Sequence, residues 1–324
     1  MNYYAKYVFV LLLLFVLGNL FENYKKSEAR QDKMDQYELI KKYLLNDSTL
    51  ARSDKPILWI HVTFETNARW WPSFYSRNTA CFNQPYQYLT IKSIVDHCGD
   101  CFNVCLIDDK TFNKVIPGWS TKIANLPNPL RPHLRELAMA KILYYYGGMT
   151  LPSSFICTKN LLPLYNMGLN ATDMFCGELV SNSNVATYSD YFPSNKIMGC
   201  VKESKLMENY VNYLENIVTD DYTNELEFTG ETDKWLYEKV RNKEVMLLDA
   251  KYFGVKQTGG QPVLLDDLIG DDDDFSLPKC SYGLYIPQDK LLLRSNTQWF
   301  VRMNPEQVLN SNTIISRYLL LSNK

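Results

Sequence analysis

The stretch Asn128–Phe155, NPLRPHLRELAMAKILYYYGGMTLPSSF, reads as a helix that runs into a buried strand through a glycine pair. Asn128 is a capping residue, and Pro129 or Pro132 suits a first turn, where a missing N–H leaves nothing unpaired. Leu134, Leu137, Ala138, Ile142 and Tyr145 recur at helical spacing and make one face apolar. Gly147-Gly148 ends the helix, because the left-handed position after the last turn costs glycine almost nothing. Met149-Thr150-Leu151 is short and apolar enough for a buried strand, and Pro152-Ser153-Ser154 makes a polar turn at its end. In α/β folds ligands bind there, outside the carboxyl ends of the strands.

The flanking segments fit the same plan. Pro56–Val62 is a continuous apolar run and reads as the first core strand. Gln87–Cys98 reads as a helix and Phe102–Ile107 as a second buried strand, so strand, helix and strand alternate as in a parallel α/β sheet. Asp108 and Asp109 end that strand, read as turn or helix-cap residues before a helix that opens at Lys110-Thr111-Phe112. Met174–Leu179 is strand-like, with Glu178 as an acidic interruption, and Ser194–Cys200 and Val245–Leu248 are further strands. Glu203–Ile217 is amphipathic, with Leu206, Tyr210, Tyr213, Leu214 and Ile217 on one face. Thr229-Gly230-Glu231-Thr232 reads as a turn before a helix capped by Thr229. Asp266, Asp267 and Asp271–Asp274 lack calcium-loop spacing and read as a solvated loop.

With 46% hydrophobic and 22% charged residues, the 324-residue chain has an ordinary globular composition. A net charge of −2 gives no reason to expect a nucleic-acid partner. Tyr7–Phe21, YVFVLLLLFVLGNLF, is uncharged and apolar. Residues 1–21 therefore read as a short transmembrane signal anchor or a signal peptide, although no small-x-small cleavage site follows. Residues 22–55 are charged and polar, a stem, and residues 56–324 form the folded domain.

Eight cysteines are enough for disulfides in an oxidising compartment. His97-Cys98-x2-Cys101-x3-Cys105 has a zinc-like spacing without a second C-x2-C pair, so zinc, at least one disulfide, and buried free thiols all stay open. Asn46-Asp47-Ser48 and Asn170-Ala171-Thr172 are sequons that permit a luminal location.

Ile142-Leu143-Tyr144-Tyr145-Tyr146-Gly147-Gly148-Met149-Thr150-Leu151 resembles the core of the family-32-type glycosyltransferases, which have a GT-A fold and a DxD sugar-binding motif. Their pattern is an acidic residue, an arginine, then I-L-Y-x-Y-G-G-x-Y-L-D-x-D. In this chain Glu136 stands at the acidic position, Met139 at the arginine, and Pro152 and Ser154 at the two aspartates. Weaker likenesses are Pro56–His61 to the family's opening strand, Ser194–Cys200 to a strand on the acceptor side, Thr229–Glu231 to a T-G-P turn, and Trp299 to a C-terminal tryptophan near the donor diphosphate. The resemblance implies a GT-A-like fold: a mostly parallel central sheet with flanking helices, behind an N-terminal membrane helix. It also implies a type II, single-pass topology with the domain in the ER or Golgi lumen.

On this resemblance His61, Thr63, Ser153, Ser154, Arg294 and Trp299 are donor-binding candidates, and Glu178 and Asn195 lie on the acceptor side. Lys256 is a second candidate for the donor diphosphate. The partners are a nucleotide-sugar donor, a glycan or glycoprotein acceptor, and the membrane. No catalytic residue is assigned. Proline offers a metal no ligand and serine only a neutral hydroxyl, so no Mn²⁺ or Mg²⁺ cofactor is expected at 152–154. Three functional readings stay open: a metal-independent transferase, a transferase holding its metal elsewhere through Glu178 or Asp108, and a catalytically silent domain that binds glycans or partners.

Overall fold

The computed structural model describes residues 55–63, 84–123, 126, 130–179, 192–219, 225–271, 274–293 and 295–323. The anchor expected at 1–21 and all of the expected stem except residue 55 lie outside them, as do Asn128, Cys81, Arg294 and the sequon at Asn46. Among the described residues no helix is long and apolar enough to cross a membrane.

The chain begins with β1 (Ile57–His61), α1 (Gln87–Cys98) and β2 (Asn103–Ile107), then a short helix α2 (Phe112–Val115). Helix α3 (Leu130–Tyr146), β3 (Gly148–Thr150), β4 (Phe155–Cys157), α4 (Leu162–Leu169), β5 (Met174–Glu178) and β6 (Pro193–Cys200) follow. Next come α5 (Lys205–Thr219), α6 (Glu225–Arg241), β7 (Met246–Leu248), α7 (Leu265–Ile269) and β8 (Gly283–Tyr285). Short helices α8 (Gln288–Leu293), α9 (Gln298–Arg302), α10 (Pro305–Leu309) and α11 (Ile314–Ser322) close it.

The main sheet has the order β2-β1-β3-β6-β5-β7, and β4 and β8 form a separate antiparallel pair. Strand β1 pairs in parallel with β2 on one side and with β3 on the other. The crossover through α1 therefore leads one way along the sheet and the one through α3 leads the other. Such a reversal opens a crevice at the carboxyl ends of the strands involved. The expectation of a mostly parallel sheet holds for β1, β2, β3 and the β5–β7 pair. Strand β6 departs from it, running antiparallel to both β3 and β5.

That antiparallel strand matters for the site. Cys200 and Gly199 lie opposite Gly148 and Met149, so the early residues of β6 run past the end of β3.

The glycine pair behaves as its sequence predicts. Gly147 (φ +69°) and Gly148 (φ +95°) both occupy left-handed backbone, and the Gly147 N–H closes the helix on Leu143 at 2.8 Å. A Cβ on Gly148 would stand 2.2 Å from the Ile57 carbonyl oxygen, so only glycine lets β3 seat against β1. The indole of Trp59 donates to the Gly147 carbonyl at 2.9 Å and fixes this turn to the sheet.

Two apolar clusters flank this framework. Trp59, Ile142, Leu143, Met198, Tyr210 and Leu214 belong to one, which brings α3 and α5 onto the sheet. Tyr86, Leu89, Ile156, Leu284, Phe300 and Ile315 belong to the other, which joins α1, the β4–β8 pair and the C-terminal helices.

The predicted turn at Thr229–Thr232 is not a turn. These residues lie inside α6, which starts at Glu225. An interior glycine costs a helix about 1 kcal/mol, less than one buried side chain such as Leu236 contributes. Asp266 and Asp267 are likewise helical, in the first turn of α7, where Asp267 accepts from the Leu264 N–H at 2.8 Å. Asp108 is the turn residue of the two roles its position suggested, accepting from the N–H groups of Lys110 and Thr111 just ahead of α2, whose N-cap is Thr111. All the described cysteines are free thiols, and Cys105 faces the core from β2. Among the described residues no group of three or more His, Cys, Asp or Glu is placed to hold a metal ion.

Candidate functional site

A cleft of about 220 Å³ opens at the carboxyl ends of β1 and β3. His61 and Thr63 reach it from the end of β1, and Thr150 to Ser153 from the end of β3. Asn195, Lys196 and Met198 enter from β6, the strand that overruns β3. Helix α3 contributes Pro132, Arg135, Glu136 and Met139, whose three- and four-residue spacing puts them on one stripe. Tyr285, Gln288 and Asp289 complete the wall.

One side of the cleft is a charge network. The Asp109 carboxylate accepts from Arg135 Nε at 2.9 Å and Nη2 at 2.8 Å, and pairs with His61 Nε2 at 3.0 Å. The His61 ring stacks on Phe112, with centroids 5.2 Å apart. Burial alone would raise the Asp109 carboxyl, but the hydrogen bonds and charges of His61 and Arg135 outweigh it and hold it well below the carboxylate range. Asp109 thus stays ionised and fixes both side chains.

On the other side, Lys196 Nζ bonds to Asp289 at 2.7 Å and stands 3.5 Å from the Tyr285 hydroxyl. Crowding by protein would lower the Lys196 ammonium even though its side chain reaches solvent, but Tyr285 and Asp289 outweigh that and raise it, so it remains charged. Both partners are open to solvent, at 43% and 64% exposure, so the pair is weak and Lys196 is free to exchange Asp289 for a stronger anion.

The floor is polar but neutral. Ser153 Oγ lies 3.3 Å from both Gln87 Oε1 and Gln288 Oε1, and its carbonyl accepts from Thr90 at 2.5 Å. Gln87 donates to Gln288 at 2.6 Å.

Acidic groups gather where α3, β6 and α6 meet. Glu136 lies 3.7 Å from His133 Nδ1. Crowding by protein raises the Asp233 carboxyl to about 7, helped by the Glu136 charge and opposed by Lys196 and the Asn195 backbone, although its surface stays open to solvent. Tyr210, buried beside Asn195, is pushed well above the phenol range, first by burial and then by the Glu136 and Asp233 charges.

Of the sequence candidates, His61, Thr63, Ser153 and Asn195 come together in this cleft. Ser154 does not line it: the residue is buried and its hydroxyl donates to the Ile286 carbonyl at 2.7 Å. Glu178 is also elsewhere, with one oxygen on Lys256 Nζ at 2.8 Å and the other on the Ala250 N–H at 3.1 Å. That pairing uses Lys256 as well. Trp299 is 45% exposed on a separate groove of about 620 Å³ that it shares with Arg302, Glu306 and Asn310. Arg294 lies outside the described residues.

Sequence reasoning missed Arg135, Lys196, Gln288, Asp289 and Asp233, and read Asp109 as a turn or helix-cap residue. Arg135 adjoins Glu136 and Lys196 adjoins Asn195, so the neighbours were in view. The pairings that give them meaning span 26 and 93 residues and left no local pattern.

No protein-family model matches the chain, and no curated protein matches it in sequence. Solved structures give distant likenesses. Apo mouse xyloside xylosyltransferase 1 has 9% identity over 61% of this chain and 86% of its own, with a TM-score of 0.34. The PaToxG glycosyltransferase has 12% identity over 67% and 81%, with a TM-score of 0.34. The apo glycosyltransferase GlyE of Streptococcus pneumoniae TIGR4 has 11% identity over 79% of this chain and 63% of its own, with a TM-score of 0.35. All three are glycosyltransferases, too distant for a residue or a substrate to be carried across.

Proposed function

We propose that this protein is glycosyltransferase-like and transfers a sugar from a nucleotide-sugar donor to a glycan or protein acceptor without a metal ion. The observation that carries this reading is the cleft at the carboxyl ends of β1 and β3, with His61, Asn195, Lys196 and Ser153 converging in it. Its position follows from the strand order rather than from the resemblance of Ile142–Leu151 to a glycosyltransferase core, and the two agree.

A nucleotide sugar leaves its diphosphate behind, and the charge on that group grows as the glycosidic bond breaks. The residues where the family holds its metal do not fit one here, since Pro152 has no ligand atom and the Ser154 hydroxyl donates to Ile286. Lys196 takes the metal's place as the source of positive charge, releasing Asp289 to bind a diphosphate oxygen. Arg135 stays with Asp109 and orients His61, whose ring and Thr63 contact the donor. Asn195 and Ser153 supply neutral hydrogen bonds to the sugar.

A silent domain that binds glycans or partners is the second reading. It is favoured by one observation, that both Lys196 and Arg135 already have carboxylate partners in the cleft. In either case residues 1–21 are proposed to anchor the chain, with the domain in a secretory lumen.

A nucleotide-sugar panel with the purified domain separates these readings by thermal shift, in EDTA and in Mn²⁺. A donor at 100 times its dissociation constant stabilises the fold by about 2.7 kcal/mol. A shift with one donor in EDTA, and turnover of that donor, supports metal-independent transfer. A shift only in Mn²⁺ overturns the role given to Lys196, and no shift with any donor leaves the silent domain.

A further inference from the structure

Helix α1 is stitched to the strand that leaves the cleft. Gln87 lies against the Ser153 hydroxyl, Thr90 donates to the Ser153 carbonyl, and Ser93 Oγ accepts from the Cys157 N–H at 2.9 Å. At the far end of the same helix, Cys98 Sγ lies 3.8 Å from Cys157 Sγ, and both residues are fully buried. These contacts run along one face of α1 at one- to two-turn intervals.

We propose that Cys98 and Cys157 are a disulfide-forming pair that fastens α1 to β4 beneath the Pro152-Ser153 turn. Two sulfurs at 3.8 Å are in contact, and the bond needs about 2.05 Å, a change within the reach of side-chain rotation. Among the described cysteines no other is aimed at this pair: Cys101 accepts from Asn160 Nδ2 at 2.8 Å, and Cys105 faces the core from β2. The linkage lies behind the cleft, not in it, and stands whether or not sugar is transferred.

The oxidant is a small-molecule disulfide such as oxidised glutathione. The hydrogen bond from Cys157 lowers the Cys98 thiol below its ordinary value, whereas burial pushes Cys157 up, so Cys98 attacks first. Its thiolate forms a mixed disulfide and expels one glutathione thiolate. Cys157 then gives up its proton, attacks the Cys98 sulfur and expels the second glutathione. The two protein thiols are oxidised and one glutathione disulfide is reduced to two thiols. Access comes while the C-terminal helix is undocked, because Ser322 of α11 fastens that helix over α1 and β4, its hydroxyl donating to the Cys157 carbonyl at 2.6 Å and its carbonyl accepting from His97 Nε2 at 3.0 Å.

The test uses the full chain in mild detergent, refolded in dithiothreitol or in a glutathione redox buffer, acid-quenched, denatured and labelled with N-ethylmaleimide. Intact mass is expected to show all eight cysteines labelled after dithiothreitol and two fewer after glutathione, with one cross-linked peptide joining Cys98 to Cys157. The oxidised protein is expected to melt several degrees higher than the reduced one, and Cys157→Ala to lose that difference. Full labelling under both conditions, a cross-link between another pair such as Cys98 and Cys101, or equal melting of oxidised and reduced protein would overturn the proposal.

Discussion

Arg135 grips Asp109 with both ends of its guanidinium fork, Nε to Oδ1 at 2.9 Å and Nη2 to Oδ2 at 2.8 Å, and so ties α3 to the loop after β2. His61 adds the end of β1 to the same carboxylate. Three elements that are far apart in sequence are thereby held at one lip of the cleft, and the bidentate geometry specifies direction as well as distance.

Asp109→Asn is expected to destabilise the domain by about 2–4 kcal/mol at pH 7, because it leaves a largely buried arginine facing a neutral amide. The pH dependence has a definite sign. The folded carboxyl titrates below the unfolded value of about 3.9, so its stabilisation is complete above that value and drains away as pH falls below it. Urea denaturation of both proteins at pH 7 and pH 3 should show the gap between them shrinking at pH 3; a constant gap would remove Asp109 as the titrating group.

Asp233 carries the opposite sign. With its folded carboxyl raised to about 7, the native state holds a proton that the unfolded chain loses at about 3.9, so stability declines between those values as pH rises. Asp233→Asn should therefore stabilise the fold at pH 8, by about 1 kcal/mol after allowance for solvent screening, and leave it unchanged at pH 3. The check is a urea midpoint measured across pH 3–8; a variant less stable than the parent at pH 8 would refute the crowding argument.

Gly148→Ala should be far more damaging than Gly118→Ala. Both positions have left-handed backbone, but a Cβ at Gly118 meets nothing within 4 Å, whereas one at Gly148 collides with the Ile57 carbonyl at 2.2 Å. Backbone strain alone costs about 1 kcal/mol at Gly118, and the collision should bring Gly148→Ala above about 3 kcal/mol. Thermal melts of the two variants side by side decide it.

Glu178→Ala and Lys196→Ala separate framework from cleft. Losing Glu178 strands Lys256 and the buried Ala250 N–H, for an expected cost of about 2–3 kcal/mol with ligand affinity intact in the fraction that stays folded. Losing Lys196 breaks only a solvent-exposed pair, so stability should change by less than about 1 kcal/mol while nucleotide-sugar affinity falls roughly tenfold or more. Isothermal titration with the donor found in the panel would expose a reversal of that pattern.

Local pattern settled much of the framework. The apolar runs at Ile57–His61 and Asn103–Ile107, the amphipathic face of α5 and the Gly147-Gly148 stop each arise from steric and burial rules acting over a few residues, and all were legible in the chain. The cleft was legible in part: the strand ends at His61 and Ser153 follow from those elements. Tertiary contact decided the rest. Nothing near Thr229 shows that burial of α6 outweighs an interior glycine, and nothing near Ser194–Cys200 shows that β6 runs antiparallel. Ser154 and Glu178 looked as available as Ser153 and Asn195 until their partners, Ile286, Lys256 and Ala250, were brought beside them from 72 to 132 residues away. A side chain's type fixes which bonds it can form, but only the fold fixes which partners reach it first; for that reason the sequence alone determined the first strands, the helix stop and the strand ends at His61 and Ser153, and the tertiary structure decided the strand order that opens a cleft there and which polar groups line it.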